Sequence, residues 1–146
     1  STTNAKKNDD YIEGLAKNIT KNKTTKLEKA EAIFDWVKNN LDYSGYVGTK
    51  YGAKKTIIIG RGNCVDTSHA LVALLRASDI PARYVNGRCE FIEGELEGKT
   101  LSHVWIQVLI DDKWMVADGT YDENKLGYVT NWNPNSHSVY GIYPSL

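Results

Sequence analysis

The pattern of apolar and polar positions changes its period about half-way along the chain. Before Pro81, apolar residues recur at helical spacing and predict three helices. The first covers residues 11–19, the second begins at a capping box at Thr25 and ends at residues 39–40, and the third covers residues 64–78. After Pro81 the period becomes two, which predicts strands. Helices followed by an antiparallel meander indicate an α+β fold in which the third, central helix is buried against the sheet.

The third helix carries the first candidate for chemistry. Residues 70–75 contain no polar side chain, which predicts burial on most sides. Gly60 and Gly62 let the backbone turn sharply just before the helix, so Cys64 lies in its first turn. The unpaired N–H groups and the positive dipole end at that position favour a thiolate. From the helix alone, a small buried apolar side chain is an equally good interpretation of Cys64.

A predicted hairpin supplies the second half of the site. Residues 101–110 alternate between apolar and mixed positions, and residues 113–118 return after a two-residue Asp–Asp turn. With that turn, position 118 pairs with position 105 and position 120 with position 103. His103 and Asp118 are then diagonal neighbours on one face of the sheet, about 7–8 Å apart between backbones. Two side chains that point towards each other can meet over that distance.

The order of these residues, Cys64 then His103 then Asp118, indicates nucleophilic catalysis. Asp118 would orient the imidazole and His103 would activate the thiol, as in papain-like enzymes that transfer acyl groups through a covalent thioester. Two cysteines are too few for a disulfide framework, so both are predicted to be free thiols. Cys89 is expected to pack on one face of a strand at residues 83–92.

Composition narrows the class of protein. The 146 residues are enough for one domain, predicted at residues 9–146 after a linker stub at residues 1–8. The chain has 18 basic and 18 acidic residues and no basic run, so neither nucleic acid nor a membrane surface is expected as a partner. No stretch approaches membrane-spanning length. A monomer is expected.

Four motifs together resemble the transglutaminase-like core. They are residues 62–66, the run 74–85 that ends the third helix and begins a strand, His103 to Trp105, and residues 114–118. They cover roughly residues 61–120 in the right order. The resemblance implies a papain-like fold and a cysteine enzyme with Cys64, His103 and Asp118 as its catalytic triad.

A finer resemblance covers nearly the whole chain. Residues 39–46, 50–53, 83–89 and 141–146 look closest to the pseudomurein endoisopeptidases of methanogens and their viruses. This implies cleavage of the Ala–Lys ε-isopeptide cross-link of pseudomurein. The enzyme would act at the archaeal cell wall, outside the cell, attached to its surface or released on host lysis. No cofactor is needed for the chemistry and no metal ligand is assigned, although the resemblance allows stimulation by a divalent cation such as calcium.

Further site residues and other functions stay open. Tyr43 and Tyr46 are candidate oxyanion donors beside the Cys64 backbone N–H, but simple packing is an equally good interpretation. Trp105 and Asn63 are candidate substrate-binding residues. A transglutaminase proper, in which a lysine amine resolves the thioester, is one alternative function. A non-catalytic adhesion module is another, although an intact set of Cys, His and Asp argues against it.

Overall fold

Helices precede a mostly antiparallel sheet in the computed structural model, which describes residues 10–43, 52–135 and 137–145, with the backbone alone at Tyr43. The helices are α1 (Asp10–Ile19), α2 (Lys26–Asn40), α3 (Ala53–Ile59) and α4 (Cys64–Ala77). The strands are β1 (Asp42–Tyr43), β2 (Arg61–Gly62), β3 (Ala82–Glu90), β4 (Thr100–Ile110), β5 (Lys113–Ala117) and β6 (Ser138–Tyr143). The linker predicted at residues 1–8 lies outside the described residues.

The predicted helices are present with nearly the predicted bounds. Thr25 caps α2, since its hydroxyl accepts the Glu28 N–H at 3.1 Å while the Glu28 carboxylate accepts the Thr25 N–H at 3.1 Å. The central helix α4 starts at Cys64 and stops before Asp79, whose φ is 60°. None of the described helices has the length and apolar character needed to cross a membrane.

Helix α3 was missed by the sequence pattern. It is seven residues long and includes a threonine and three consecutive isoleucines, which are β-branched and favour strands. It forms because Ala53, Thr56 and Ile57 are buried, and α3 packs on α4. Gly60 ends it in the left-handed conformation, with φ at 82°.

The four main strands form one antiparallel sheet in the order β5-β4-β3-β6, and β1 and β2 form a short parallel pair. The hairpin has the predicted register, with Ile110 opposite Lys113. Both turn residues, Asp111 and Asp112, have positive φ, as a type I′ turn requires. The ladder ends at Ala117, so the strand predicted to reach Asp118 stops one residue short of it. Asp118 therefore begins the loop that follows.

Apolar side chains cover both faces of the sheet. The larger cluster packs α4 against one face of β4, through side chains such as Val104, Ile106 and Val108. A smaller cluster lies apart from it and contains Cys89, Trp105, Trp132 and neighbouring side chains. The predicted α+β fold, with a central buried helix on an antiparallel sheet, is confirmed.

Candidate active site

The start of α4 is built by a second capping box. The Asn63 side chain accepts the Asp66 N–H at 2.9 Å, and the Asp66 carboxylate accepts the Asn63 N–H at 3.2 Å. Gly62 is required just before the helix, because a Cβ there would lie 2.5 Å from that of Asp66. Cys64 is thereby fixed as the first helical residue, with 5% of its surface exposed. Its backbone N–H belongs to the first turn, where no helical carbonyl can accept it.

His103 of β4 and Asp118 form a buried pair. Nε2 of His103 lies 2.7 Å from Oδ2 of Asp118, and each residue is 1% exposed. The β4–β5 ladder stops at Ala117, one residue before Asp118. The backbone continues in the direction of β5 for that one residue, so the two side chains still meet. The diagonal contact predicted from the hairpin is present.

The pair holds a proton on the imidazole. Burial would lower the pKa of His103, but the charge and hydrogen bond of Asp118, and then a hydrogen bond with the Cys64 thiol, raise that pKa to about 10. Burial would raise the pKa of Asp118, but the imidazolium charge and the hydrogen bonds to the carboxylate outweigh it, and the pKa is lowered. Since Nε2 faces Asp118, Nδ1 is the ring nitrogen left for Cys64.

Aromatic rings enclose the imidazole. Phe91 meets it edge-on with ring centroids 5.3 Å apart, and Trp105 stacks on it at 6.0 Å. Trp132 packs on the far side of Trp105, at 4.8 Å. These apolar neighbours keep water away from the His103–Asp118 pair, which strengthens its electrostatic interaction.

The family follows from comparison with known proteins. The model of the transglutaminase-like superfamily matches residues 13–119, which include Cys64, His103 and Asp118. The chain belongs to this superfamily. An uncharacterized protein of Mycobacterium leprae (strain TN) is 31% identical over 107 residues, which cover 70% of this chain and 38% of that protein. The chain thus spans less than half of this relative.

Solved structures agree with the superfamily assignment. One from Cytophaga hutchinsonii, named a "putative cysteine protease", is 28% identical with a TM-score of 0.63, over 90% of this chain and 46% of that one. A TGase structure is 19% identical with a TM-score of 0.56, over 86% and 33%. LapG of Legionella pneumophila is 13% identical with a TM-score of 0.56, over 89% and 86%. The last two show a shared fold.

The structure gives other roles to the two residues predicted to bind substrate. Trp105 is only 3% exposed and lies between His103 and Trp132, so its faces pack against protein. Asn63 is 8% exposed and its side-chain oxygen caps α4. Contact of either residue with substrate stays a prediction. Of the two predicted oxyanion donors, the side chain of Tyr43 and all of Tyr46 lie outside the described residues.

Two residues that hold Asp118 were not predicted. Trp132 donates its Nε1–H to Oδ2 of Asp118 at 2.7 Å, and the Thr120 hydroxyl contacts Oδ1 at 2.6 Å. Thr120 could have been found, because a threonine two residues after an aspartate commonly bonds back to it. Trp132 had no such indication, since it follows Asp118 by 14 residues across an irregular loop.

The remaining thiol and the other buried histidine are structural. Burial raises the pKa of Cys89 to about 12, with help from the charges of Asp118 and Cys64, so Cys89 is a neutral thiol. Both cysteines are free, as predicted. Nδ1 of His69 lies 2.8 Å from the Tyr84 hydroxyl inside the core.

A groove of about 640 Å³ is lined by two residues that contact the His103–Asp118 pair. Phe91, which touches His103, and Thr120, which touches Asp118, both line it. Its other walls come from the end of α2, the β3–β4 loop and the loop after β5, and its acidic residues are Asp42, Glu93, Glu95, Asp122 and Glu123. Among the described residues, no group of three or more His, Cys, Asp or Glu side chains could hold a metal ion.

Proposed function

We propose that this protein is a cysteine hydrolase that cleaves amide bonds through a thioester, with Cys64 as nucleophile. The observation that carries the proposal is the buried His103–Asp118 pair at 2.7 Å whose imidazole also bonds to Cys64. Such a pair supplies an imidazolium beside the thiol of the first residue of α4. The name of the Cytophaga hutchinsonii relative, at 28% identity, supports the same class of reaction.

Each step uses groups of this site. The Cys64 thiolate attacks the amide carbonyl, and the oxyanion accepts the Cys64 backbone N–H. Imidazolium of His103 gives its Nδ1 proton to the departing amine as the C–N bond breaks, which leaves a thioester and a neutral ring. His103 then takes a proton from water, whose oxygen attacks the thioester. The C–S bond breaks, the product leaves as a carboxylic acid that loses its proton to solvent, and the thiolate and imidazolium are restored.

We further propose a lysine ε-isopeptide as the bond that is cleaved, and specifically the Ala–Lys cross-link of pseudomurein at an archaeal cell wall. The finer resemblance in sequence supports this substrate. The acidic groove that Phe91 and Thr120 line also supports it, since it suits a substrate that carries or releases an amine. Lys38 is the basic residue on the wall of this groove. Its Nζ already donates hydrogen bonds to the carbonyl oxygens of Asp122 and Asn124, at 2.8 and 3.0 Å.

Transfer to an amine is the second candidate function. Cys64 is 5% exposed and His103 is 1% exposed, and such a dry centre slows hydrolysis of a thioester relative to attack by a bound lysine amine. The same superfamily includes enzymes that carry out this transfer, so the fold does not separate the two outcomes.

One experiment tests both functions. The protein is incubated with an Ala–Lys ε-isopeptide peptide and with the α-linked peptide of the same residues, with and without added amine. We expect hydrolysis, with a kcat/KM larger for the ε-linkage, and no product from Cys64→Ala. Equal rates for both linkages would contradict the isopeptide specificity. Amine adducts as the main product, identified by mass spectrometry, would favour the transglutaminase.

Two further arms extend the test. Isolated pseudomurein, with mass-spectrometric identification of released peptides, checks the natural cross-link. Calcium or EGTA in the buffer checks stimulation by a divalent cation, which no step above requires. Turnover by Cys64→Ala comparable to that of the parent protein would contradict the cysteine mechanism altogether.

A further inference from the structure

We propose that Trp132 and Thr120 are positioning residues, which hold the Asp118 carboxylate in the orientation that His103 needs. This inference rests on the proposed function, because Asp118 matters to turnover only if His103 is the acid and base. It adds two residues to a site otherwise built from Cys64 of α4, His103 of β4 and Asp118 at the start of the loop after β5.

The first contact is on the oxygen that faces the imidazole. Oδ2 of Asp118 lies 2.7 Å from Nε2 of His103 and 2.7 Å from Nε1 of Trp132. An indole N–H can only donate a hydrogen bond, so Trp132 stabilises Oδ2 only when that oxygen acts as the acceptor. Trp132 is 2% exposed, and a water molecule from bulk cannot easily replace it.

The second contact is on the other oxygen. Oδ1 of Asp118 accepts the Thr120 backbone N–H at 3.1 Å and contacts the Thr120 hydroxyl at 2.6 Å. Each carboxylate oxygen therefore has one partner that can only donate. Rotation of the carboxylate away from His103 would break hydrogen bonds on both oxygens, and such bonds to a charged group are stronger than neutral ones.

The loop that carries Trp132 is itself closed by Asn124. The Asn124 side chain is buried, donates to the Asp118 carbonyl at 3.1 Å and to Asn131 Oδ1 at 2.9 Å, and accepts the Thr130 N–H at 2.8 Å. The backbone of Trp132 also forms an isolated antiparallel β-bridge with that of Phe91, and its indole packs on Trp105. The indole is thus fixed from the loop and from the sheet, as a positioning residue requires.

Loss of either hydrogen-bond donor should shift the pKa of Asp118 in a defined direction. Removal of a hydrogen bond from the ionised carboxylate makes its charged form less favourable, so the pKa of Asp118 should rise. The other titratable groups that face Asp118 are His103, protonated below about pH 10, and Cys89, neutral below about pH 12. A less well-oriented His103 should lower kcat by about tenfold, with little change in KM, since only the transition state uses the orientation.

Matched variants separate the hydrogen bonds from packing. Thr120→Val removes the hydroxyl and keeps the branched shape of the side chain, whereas Thr120→Ser keeps the hydroxyl. Trp132→Phe removes the N–H, and 3-benzothienylalanine at position 132 removes it with the bicyclic shape retained. Trp114→Phe is the control, because Trp114 is a half-exposed tryptophan on β5 that stacks on Arg83.

The readouts are kcat, KM and the pH titration of the Asp118 carboxyl carbon by ¹³C NMR. We expect a lower kcat and a higher Asp118 midpoint in Thr120→Val, Trp132→Phe and the benzothienyl variant, and values close to the parent in Thr120→Ser and Trp114→Phe. Unchanged kcat and midpoint in the benzothienyl variant and Thr120→Val would overturn the inference. The NMR titration needs no turnover, so its result stands even if the proposed hydrolase function fails.

Discussion

At the scale of single residues, the two thiols of this protein have opposite character. Cys64 is the first residue of α4 and forms a hydrogen bond with the imidazole of His103, which is protonated at neutral pH. Cys89 is fully buried in β3, and the pKa of its thiol is raised to about 12. Because the thiolate is the reactive form of cysteine, the same protein should carry one reactive and one inert thiol.

Alkylation measures this difference. At pH 7, iodoacetamide should modify Cys64 rapidly and leave Cys89 unmodified in the folded protein. His103→Ala should slow the modification of Cys64, because the imidazolium partner of the thiolate is lost. Peptide mass spectrometry identifies the modified residue, and a Cys89→Ala background gives the rate for Cys64 alone. Equal rates for both thiols, or a Cys64–Cys89 disulfide in the active protein, would contradict the proposed ion pair.

At the scale of elements, α3 and α4 differ in how they are stabilised. A capping box satisfies the start of α4, whereas Gly52 gives α3 no side-chain cap. The hydroxyl of Thr56 in α3 is fully buried and is the one buried side-chain polar atom without a hydrogen-bond partner in the part of the chain that the structure describes. A buried hydroxyl of this kind costs free energy on folding.

Thr56→Val should therefore stabilise the protein. The substitution keeps the branched shape and removes the unsatisfied group, and we expect the free energy of unfolding to increase by about 1 kcal/mol. Urea denaturation of the two proteins, with equal slopes, gives the difference. Thr56→Ser, which keeps the hydroxyl and loses the methyl group, should destabilise. A destabilised Thr56→Val variant would show that the hydroxyl has a partner in solution.

At the scale of the whole molecule, the buried His103–Asp118 pair links folding to pH. The pKa of His103 is raised in the folded protein to about 10, from about 6.5 for an ordinary histidine. Between these values the folded protein binds more protons than the unfolded chain, so stability falls as pH rises. The contribution of His103 to the free energy of unfolding is fully present below pH 6.5 and is lost as pH rises to about 10. That of Asp118, whose pKa is lowered, is lost at acid pH.

Unfolding at a series of pH values tests this linkage. The difference in free energy of unfolding between the parent protein and His103→Asn should be largest near pH 5–6 and should shrink, by an amount on the order of a few kcal/mol, as pH rises to 10. The comparison cancels the titration of surface lysines, which both proteins share. A difference that is constant over this range would show that the pKa of His103 is the same in the folded and the unfolded protein, and would contradict the linkage.

The sequence determined the parts of this protein that depend on local regularity. The period-two pattern and the Asp–Asp turn set the register of β4 and β5, and this register brought His103 and Asp118 together. The apolar run after Cys64 predicted the buried central helix and placed the thiol at its start. In each case the residues that interact are close in sequence or related by a repeating pattern, so their relation is visible without the fold.

Tertiary structure alone decided the rest. Trp132 meets Asp118 through an irregular loop with no period, and the direction of such a loop depends on contacts such as those of Asn124. Helix α3 forms against the propensity of its isoleucines because α4 is there to bury it. Trp105 is enclosed because Trp132 covers it. These features depend on long-range packing between segments, for which the sequence carries no local pattern.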